Sequence, residues 1–127
     1  MRVLLVDDDA QFRATLRQVL SARPELVVVG EAADGGEAIR RAVELQPDVV
    51  LMDLAMPGIN GLEATRQVKA RGAAARVIVL TVHNEEAYRR AALTAGADAV
   101  LEKRRLGVDL LPALAAPPAV PRETAGA

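Results

Sequence analysis

Five short, uninterrupted runs of apolar residues constrain the fold of this chain more than any other feature of its sequence. They occupy residues 3–6, 27–29, 49–52, 77–80 and 99–101. Each run has the length of a β-strand, and valine, a residue common in strands, is frequent in them. Apolar residues in continuous runs are typical of strands that are buried on both faces. The runs therefore predict a parallel sheet with helices on both of its faces.

The stretches between these runs have helical length and carry apolar residues at helical spacing. Phe12, Leu16 and Leu20 fall on one face of a helix that has to end before Pro24. The later stripes are Ile39, Ala42 and Val43; Leu62, Thr65 and Val68; Ala87, Ala91 and Ala95; and Leu110, Leu111 and Leu114. Strands that alternate with helices in this way indicate the α/β fold class.

The composition is that of one globular domain. Of the 127 residues 51% are hydrophobic and 26% are charged, which allows a single core. We predict this domain over residues 1–116 and a linker or loose tail over residues 117–127, because the sequence PPAVPRETAGA suits neither a helix nor a core. The lack of cysteine excludes disulfides, thiolate zinc sites and cysteine nucleophiles.

Charge and hydropathy limit the classes of partner. A net charge of -1 provides no general attraction for nucleic acid or anionic lipid, so we expect DNA contact only through an output domain outside these residues. The sequence shows no basic leader before an apolar segment, and no apolar run approaches the ~20 residues that span a bilayer. We therefore expect a cytoplasmic protein that does not associate with a membrane.

Polar residues follow the predicted strands where these end. Asp7, Asp8 and Asp9 follow the first strand, Asp53 the third, Thr81 the fourth, and Lys103 comes shortly after the fifth. The carboxyl ends of parallel strands share one edge of the sheet, where ligands bind in open α/β folds. Carboxylates gathered there repel one another unless a cation lies between them, and Mg²⁺ is the hard divalent ion that carboxylates bind beside a phosphate. The sequence therefore predicts a site for Mg²⁺ at this edge, where the ammonium of Lys103 and the hydroxyl of Thr81 could also meet phosphoryl oxygens.

Four segments, in this order and spacing, resemble the receiver domain of bacterial two-component response regulators. They are VLLVDDD, VVLMDLAMPGINGLE, VIVLT and GADAVLEK, and the resemblance covers about residues 1–116. The segment DGGEAIRRAVELQPDVVLMDLAMPGINGLEATRQVK is most similar to the LuxR/NarL-type branch. The resemblance implies a flavodoxin-like, doubly wound sheet of five parallel strands in the order 2-1-3-4-5 with helices on both faces, in agreement with the alternation of strands and helices.

The resemblance also implies a role for each residue at the predicted edge. Asp53 would be the phosphoacceptor and would become an acyl phosphate. Thr81 would donate a hydrogen bond to the phosphoryl group, and Lys103 would pair with it. The residues that hold Mg²⁺ would be Asp7, mainly through a bound water, Asp8, Asp53 and Ala55 through its backbone carbonyl.

The function implied by the resemblance is a phosphoacceptor signalling switch. The domain is not expected to be an enzyme with a separate substrate, although it could catalyse its own phosphorylation and dephosphorylation. A sensor histidine kinase would donate the phosphoryl group. Phosphorylation would alter self-association or partner binding, with a homodimer through the fourth helix, fifth strand and fifth helix as one possible form, and transcription control as the expected outcome.

Two positions depart from the pattern of the family. Val100 stands three positions before Lys103, where receivers usually have an aromatic residue whose rotamer follows the movement of the threonine. Val82 is bulkier than the small residue that typically follows the position of Thr81. Tyr88, on the fourth predicted helix, is a candidate replacement for the missing ring.

Other interpretations stay open from the sequence. The departures at Val100 and Val82 favour a pseudo-receiver, which is a binding module that works without phosphorylation. The intact acidic pair, Asp53, Thr81 and Lys103 argue against it. A metal-dependent phosphatase would need a second aspartate two residues after Asp53 as general acid, but Ala55 stands there. His83 is the only histidine, and we expect it in a surface loop, where it could border the phosphoryl group.

Overall fold

The chain folds as a parallel sheet between two layers of helices, in a computed structural model that describes residues 1–56, 58–82 and 86–116. The elements are β1 (Arg2–Val6), α1 (Ala10–Leu20), β2 (Val27–Ala32), α2 (Gly35–Leu45), β3 (Val49–Asp53), α3 (Gly61–Ala70), β4 (Arg76–Thr81), α4 (Glu86–Thr94), β5 (Ala99–Glu102), a 3-10 turn (Lys103–Arg105) and α5 (Leu106–Ala115). The strand order is β2-β1-β3-β4-β5 and every pair is parallel, which confirms the predicted order.

The sheet is buried on both faces because successive side chains of each strand point into two different cores. Helices α2, α3 and α4 cover one face, where their buried residues include Ala38, Ala42, Ala64, Val68 and Ala92. Helices α1 and α5 cover the other face with Leu16, Leu20, Leu106, Leu110 and Leu114. The continuous apolar runs in the sequence follow from this two-sided burial.

A proline or a glycine follows the end of each of three helices. Gln46 terminates α2 in the left-handed conformation, with a φ of 49°, immediately before Pro47. Gly72 and Gly96 follow α3 and α4 with φ values of 63° and 111°, a region that favours glycine because other residues have a Cβ atom. The last helix continues through Pro112 to Ala115.

Strand β2 is longer than its apolar run. It extends beyond Val29 through Gly30 and Glu31 to Ala32, each of which pairs with a residue of β1. Without a Cβ, Gly30 leaves room for the end of the Leu45 side chain, whose Cδ1 would lie 2.7 Å from an added Cβ. Glu31 is compatible with a strand because β2 is at the edge of the sheet, where its carboxylate binds two arginines of α1. A glycine followed by a glutamate is typical of a loop, so the sequence alone did not predict this extension.

Two predictions concern residues outside the described part of the chain. They are the tail over residues 117–127 and the loop position of His83. Within the described ranges, none of the helices combines the length and the apolar character needed to cross a bilayer.

Candidate functional site

The loop between β1 and α1 fixes the position of Asp7. Asp7 is 1% exposed, and its N–H donates to the carbonyl oxygen of Ala32 over 3.1 Å, which continues the pairing of β1 with β2. Its Oδ1 accepts a hydrogen bond from the N–H of Asp9 over 2.9 Å. Asp9 in turn caps α1 by accepting hydrogen bonds from the N–H groups of Gln11 and Phe12. The position of Asp7 is therefore tied both to the sheet and to the first turn of α1.

Asp53 ends the buried strand β3, and the loop after it lies close against the start of α3. The N–H of Leu54 donates to the carbonyl oxygen of Leu80 over 3.1 Å. The N–H of Gly61 donates to the carbonyl oxygen of Leu54 over 3.0 Å. A Cβ added to Gly61 would lie 2.0 Å from the carbonyl oxygen of Asp53, so the loop requires glycine there. The backbone of Ala55 lies near the carboxylate of Asp53 and acts to lower the pKa of this carboxyl.

Three carboxylates meet at this edge. Asp7, Asp8 and Asp53 each offer one oxygen, and these oxygens lie within 4.8 Å of one another. Asp7 and Asp53 are buried, whereas Asp8 is exposed to solvent. Carboxylate oxygens beside a solvent-exposed side suit Mg²⁺, which binds oxygen ligands and usually retains several waters. The donor set of these three residues therefore fits the metal that the sequence predicts.

Lys103 provides the positive charge of the site. Its Nζ donates a hydrogen bond to Oδ2 of Asp7 over 2.7 Å and lies 3.1 Å from Oδ1 of Asp53. The same atom lies 4.3 Å from the centroid of the Phe12 ring, within the range of a cation–π interaction. The Lys103 side chain is only 17% exposed, whereas Arg104 and Arg105 beside it are exposed. Of these three consecutive basic residues, only Lys103 thus belongs to the site, whereas the two arginines face the solvent.

Burial and charge shift the pKa values of the two central groups. Burial is the largest influence on Asp53 and raises the pKa of its carboxyl, with the negative charge of Asp7 acting in the same direction and Lys103 opposing it. Burial alone would lower the pKa of Lys103. The hydrogen bond with Asp7 and the attraction of Asp53 outweigh this effect and raise it. The site therefore holds more negative charge than a single ammonium compensates, which favours the binding of a cation.

Thr81 lies between the end of β3, which carries Asp53, and the end of β5, which Lys103 directly follows. It is the last residue of β4, is buried, and pairs in register with Glu102, the residue before Lys103. Strand β4 is the neighbour of both β3 and β5, so its carboxyl end separates theirs. The structure brings together Asp7, Asp8, Asp53 and Lys103, with Thr81 at the end of the intervening strand and Ala55 in the loop after Asp53.

The positions that depart from the family pattern lie around this edge. Val82 is 72% exposed. Val100 is half-buried and lines a cavity of about 210 Å³ together with Thr81, Arg89 and Arg105. Tyr88 is 40% exposed and lines a different cavity, with residues of the loop between β3 and α3. Tyr88 therefore does not occupy the space beside Val100.

Two residues make contacts that shape the site and that the sequence does not predict. The apolar spacing predicts Phe12 on the core face of α1, and its ring does pack against that core, but it also lies against Lys103. Arg13 donates from Nη1 to the carbonyl oxygen of Asp7 over 2.5 Å and from Nε to Glu31 over 2.6 Å. The only signal in the sequence is that an aromatic and a basic residue follow the acidic loop by one helical turn.

Comparisons with known proteins agree with this geometry. The family model for the response regulator receiver domain matches residues 3–115. The chain is 41% identical over 112 residues to the nitrate/nitrite response regulator protein NarL of Escherichia coli strain K12, covering 88% of this chain and 52% of NarL. It is 41% identical over 116 residues to the transcriptional regulatory protein LiaR of Bacillus subtilis strain 168, covering 91% of this chain and 55% of LiaR. The chain thus spans about half the length of these relatives.

A solved structure shows the same arrangement of the backbone. The crystal structure of a LuxR-family two-component response regulator from Aurantimonas sp. SI85-9A1 superimposes with a TM-score of 0.84 at 41% sequence identity. The superposition covers 89% of this chain and 81% of that chain. The similarity therefore extends over almost all of the residues that form the sheet and its helices.

Proposed function

The chain belongs to the response regulator receiver domain family, and we propose that it is a phosphoacceptor signalling switch in which Asp53 receives a phosphoryl group from a partner histidine kinase. The observation that carries this proposal is the environment of Asp53. Its carboxylate lies at the end of a buried strand, beside two further carboxylates and 3.1 Å from an ammonium. A nucleophile placed between a cation site and a lysine suits phosphoryl transfer, in which positioning and charge neutralisation provide most of the catalysis.

Asp8, Asp53 and the backbone carbonyl of Ala55 would hold Mg²⁺ directly. Asp7 is better suited to bind through a water, because its Oδ1 already accepts from Asp9 and its Oδ2 from Lys103. When bound, the metal offsets negative charge on the nucleophile and on the phosphoryl oxygens. The surplus of carboxylates over ammonium groups at the site supports this assignment.

The residues of the chain would then act on the phosphoryl group. A carboxylate oxygen of Asp53 forms a bond to phosphorus while the phosphorus–nitrogen bond of a phosphohistidine breaks, and the departing imidazole keeps the electron pair of that bond. Lys103 moves its ammonium from the Asp53 oxygen to a phosphoryl oxygen, where the hydrogen bond is again assisted by charge. Thr81 donates its hydroxyl to another phosphoryl oxygen. The product is an acyl phosphate on Asp53.

The output of the switch would be a change in self-association or partner binding. Thr81 and Lys103 lie at the carboxyl ends of β4 and β5, so contacts with a phosphoryl group would favour one arrangement of α4, β5 and α5 over another. The similarity to NarL and LiaR supports a role in transcription control. Any contact with DNA would come from an output domain beyond the residues of this chain.

Intact mass spectrometry after incubation with acetyl phosphate tests the proposal. We expect the parent protein to gain one phosphoryl group in the presence of Mg²⁺ and none when EDTA removes the metal. Asp53→Asn should gain none, since the amide lacks the nucleophilic oxygen, and should remain folded because it nearly preserves the volume of the side chain. Asp109→Asn is the matched control, since Asp109 lies on α5 and pairs with Arg105 outside the cluster.

Two results would contradict this function. Full phosphorylation of Asp53→Asn would show that another residue is the acceptor. A folded parent protein that gains no phosphoryl group from acetyl phosphate or a histidine kinase would instead indicate a module that works without phosphorylation.

A further inference from the structure

We propose that Phe12 is a positioning residue for phosphoryl transfer: its ring holds the ammonium of Lys103 at the α1 side of the acidic cluster and thereby sets the rate at which Asp53 is phosphorylated. This role rests on the function proposed above. Phe12 would act only through Lys103, without contact to the phosphoryl group. The geometry of three contacts to one nitrogen atom leads to this inference.

The Nζ atom of Lys103 has a neighbour on each of three different elements. It lies 2.7 Å from Asp7 at the end of β1, 3.1 Å from Asp53 at the end of β3, and 4.3 Å from the centroid of Phe12 on α1. An ammonium has three N–H donors, and the two carboxylates can accept from two of them. The negative face of the aromatic ring is available to the remaining positive charge.

The surroundings strengthen this contact. The Lys103 side chain is 17% exposed, so little water screens its charge, and a cation–π interaction is stronger where the cation is desolvated. The ring itself is held in place because it packs against the core formed by α1 and α5. The ring can therefore fix the position of the ammonium, since its own position is determined by the core.

The ring and the carboxylates are also linked through the backbone. Asp9 accepts a hydrogen bond from the N–H of Phe12, and its own N–H donates to Asp7. The first turn of α1 is thus connected to the loop over residues 7–9. Together they place the carboxylate of Asp7 and the ring of Phe12 beside the ammonium of Lys103. When Lys103 exchanges the Asp53 oxygen for a phosphoryl oxygen, the contact with Phe12 can persist and keep the ammonium near the reacting atoms.

Fluorinated phenylalanine separates this role from simple core packing. Phe12 is the only phenylalanine in the chain, so biosynthetic replacement with pentafluorophenylalanine changes this position alone. The fluorinated ring keeps a similar shape but loses its negative face. We expect phosphorylation by acetyl phosphate at saturating Mg²⁺ to slow by about fivefold, with a similar loss in Phe12→Leu and recovery to within about twofold in Phe12→Tyr, which retains the ring.

A double-mutant cycle identifies Lys103 as the partner. In the Lys103→Met background, fluorination of Phe12 should leave the phosphorylation rate unchanged, and the denaturant midpoints of the four proteins should show coupling between the two positions. Equal rates for the natural and the fluorinated parent, or an equal loss in the Lys103→Met background, would overturn the proposal. If the parent is phosphorylated but positions 12 and 103 show no coupling, only this role of Phe12 is contradicted. If the parent takes up no phosphoryl group, the proposed function is contradicted as well.

Discussion

The Nζ atom of Lys103 lies 3.1 Å from Oδ1 of Asp53, although Asp53 ends β3, Lys103 follows β5, and β4 lies between these two strands in the sheet. The lysine reaches across the end of β4 and also binds Asp7, so one ammonium joins two buried carboxylates. Removing one partner of a buried ion pair leaves an uncompensated charge, which destabilises more than the pair itself stabilises. The stability of the fold and the state of the nucleophile therefore both depend on this lysine.

We expect Lys103→Met to lower the free energy of unfolding by about 2 kcal/mol, because Asp7 and Asp53 would repel each other without compensation. The pKa of Asp53, which burial already raises, should rise further once the attraction of Lys103 is lost. Saturating Mg²⁺ should raise the free energy of unfolding of this variant by more than it raises that of the parent protein. Denaturant unfolding with and without Mg²⁺ measures both effects.

Lys69→Met is the matched control, since Lys69 and Lys103 are the two lysines in the chain. Lys69 pairs with Asp98 over 2.9 Å, and about a quarter of each side chain is exposed. Asp98 would keep its hydrogen bond from the N–H of Val77, so we expect a loss of no more than about 1 kcal/mol that Mg²⁺ does not affect. Equal losses in both lysine variants, or equal responses to Mg²⁺, would contradict the prediction.

A second ion cluster predicts a pH dependence of stability. Glu31 accepts hydrogen bonds from Nε of Arg17 and from Nε of Arg13, and its side chain is 29% exposed. The bond from Arg17, with a further one from Arg13, lowers the pKa of Glu31 below its ordinary value of 4.5 in spite of partial burial. A carboxyl with a lowered pKa stabilises the fold above its unfolded pKa, and this contribution disappears as the pH falls through the folded pKa.

Glu31→Gln should therefore lower the free energy of unfolding by about 1 kcal/mol at neutral pH, and the difference from the parent should shrink as the pH falls below 4.5. Urea unfolding of both proteins from neutral to acid pH measures this difference in unfolding free energy. Glu25→Gln is the control, because the pair of Glu25 with Arg23 is 3.9 Å long and exposed, so its removal should change stability by less than about 0.5 kcal/mol. A constant difference between parent and Glu31→Gln from neutral to acid pH would refute the assignment.

The strand ends of the site were predictable from the sequence because they depend on topology alone. Apolar runs that are buried on both faces identify a parallel sheet, and such a sheet places the residues after its strands at one edge. The positions of Asp7, Asp53, Thr81 and Lys103 follow from this argument. It needs no knowledge of side-chain rotamers.

The contacts of Phe12, Arg13 and Glu31 were not predictable in this way. They depend on how α1 is rotated about its axis and on the extension of β2 through Glu31, which sheet pairing stabilises although the local sequence resembles a loop. A helix face defined by apolar spacing says which residues are buried, but not which carbonyl or ammonium a long side chain reaches. These contacts therefore depend on tertiary packing, which the sequence pattern does not predict.

Gly61→Ala tests how tightly the loop after Asp53 is packed. The added Cβ would lie 2.0 Å from the carbonyl oxygen of Asp53 and 2.8 Å from Cα of Leu54, and backbone atoms have little room to move. We expect a loss of about 2 kcal/mol in unfolding free energy and slower phosphorylation, because the strand end that carries Asp53 has to shift. Thermal unfolding and the rate of reaction with acetyl phosphate measure these effects.

Gly107→Ala provides the control for this change. Gly107 lies in the first turn of α5, and, apart from its own helix, no part of the chain that the structure describes lies within 4 Å of a Cβ added there. Alanine favours a helix over glycine by up to about 1 kcal/mol, so this variant should be slightly stabilised and should react at the parent rate. If Gly61→Ala matched Gly107→Ala in stability and in phosphorylation rate, α3 would not approach the end of β3 as closely as the structure indicates.

Val100→Tyr tests whether the missing aromatic residue weakens the switch. Val100 lines a cavity of about 210 Å³ that also borders Thr81, so a larger side chain has space beside the residue proposed to contact the phosphoryl group. Without an aromatic ring, we expect phosphorylation to bias self-association by about 1 to 2 kcal/mol, the lower part of the usual range of coupling energies. A tyrosine that fills the cavity in one state only should enlarge this difference.

Sedimentation of the phosphorylated and unphosphorylated forms of both proteins measures the bias. Val100→Leu is the control, because it adds apolar volume without a ring and should leave the difference close to that of the parent protein. Coupling requires a side chain whose contacts differ between the two states, and a short aliphatic residue at position 100 makes nearly the same contacts in both. If the parent already changes its association completely on phosphorylation, or if tyrosine and leucine give the same result, then coupling in this protein does not pass through position 100.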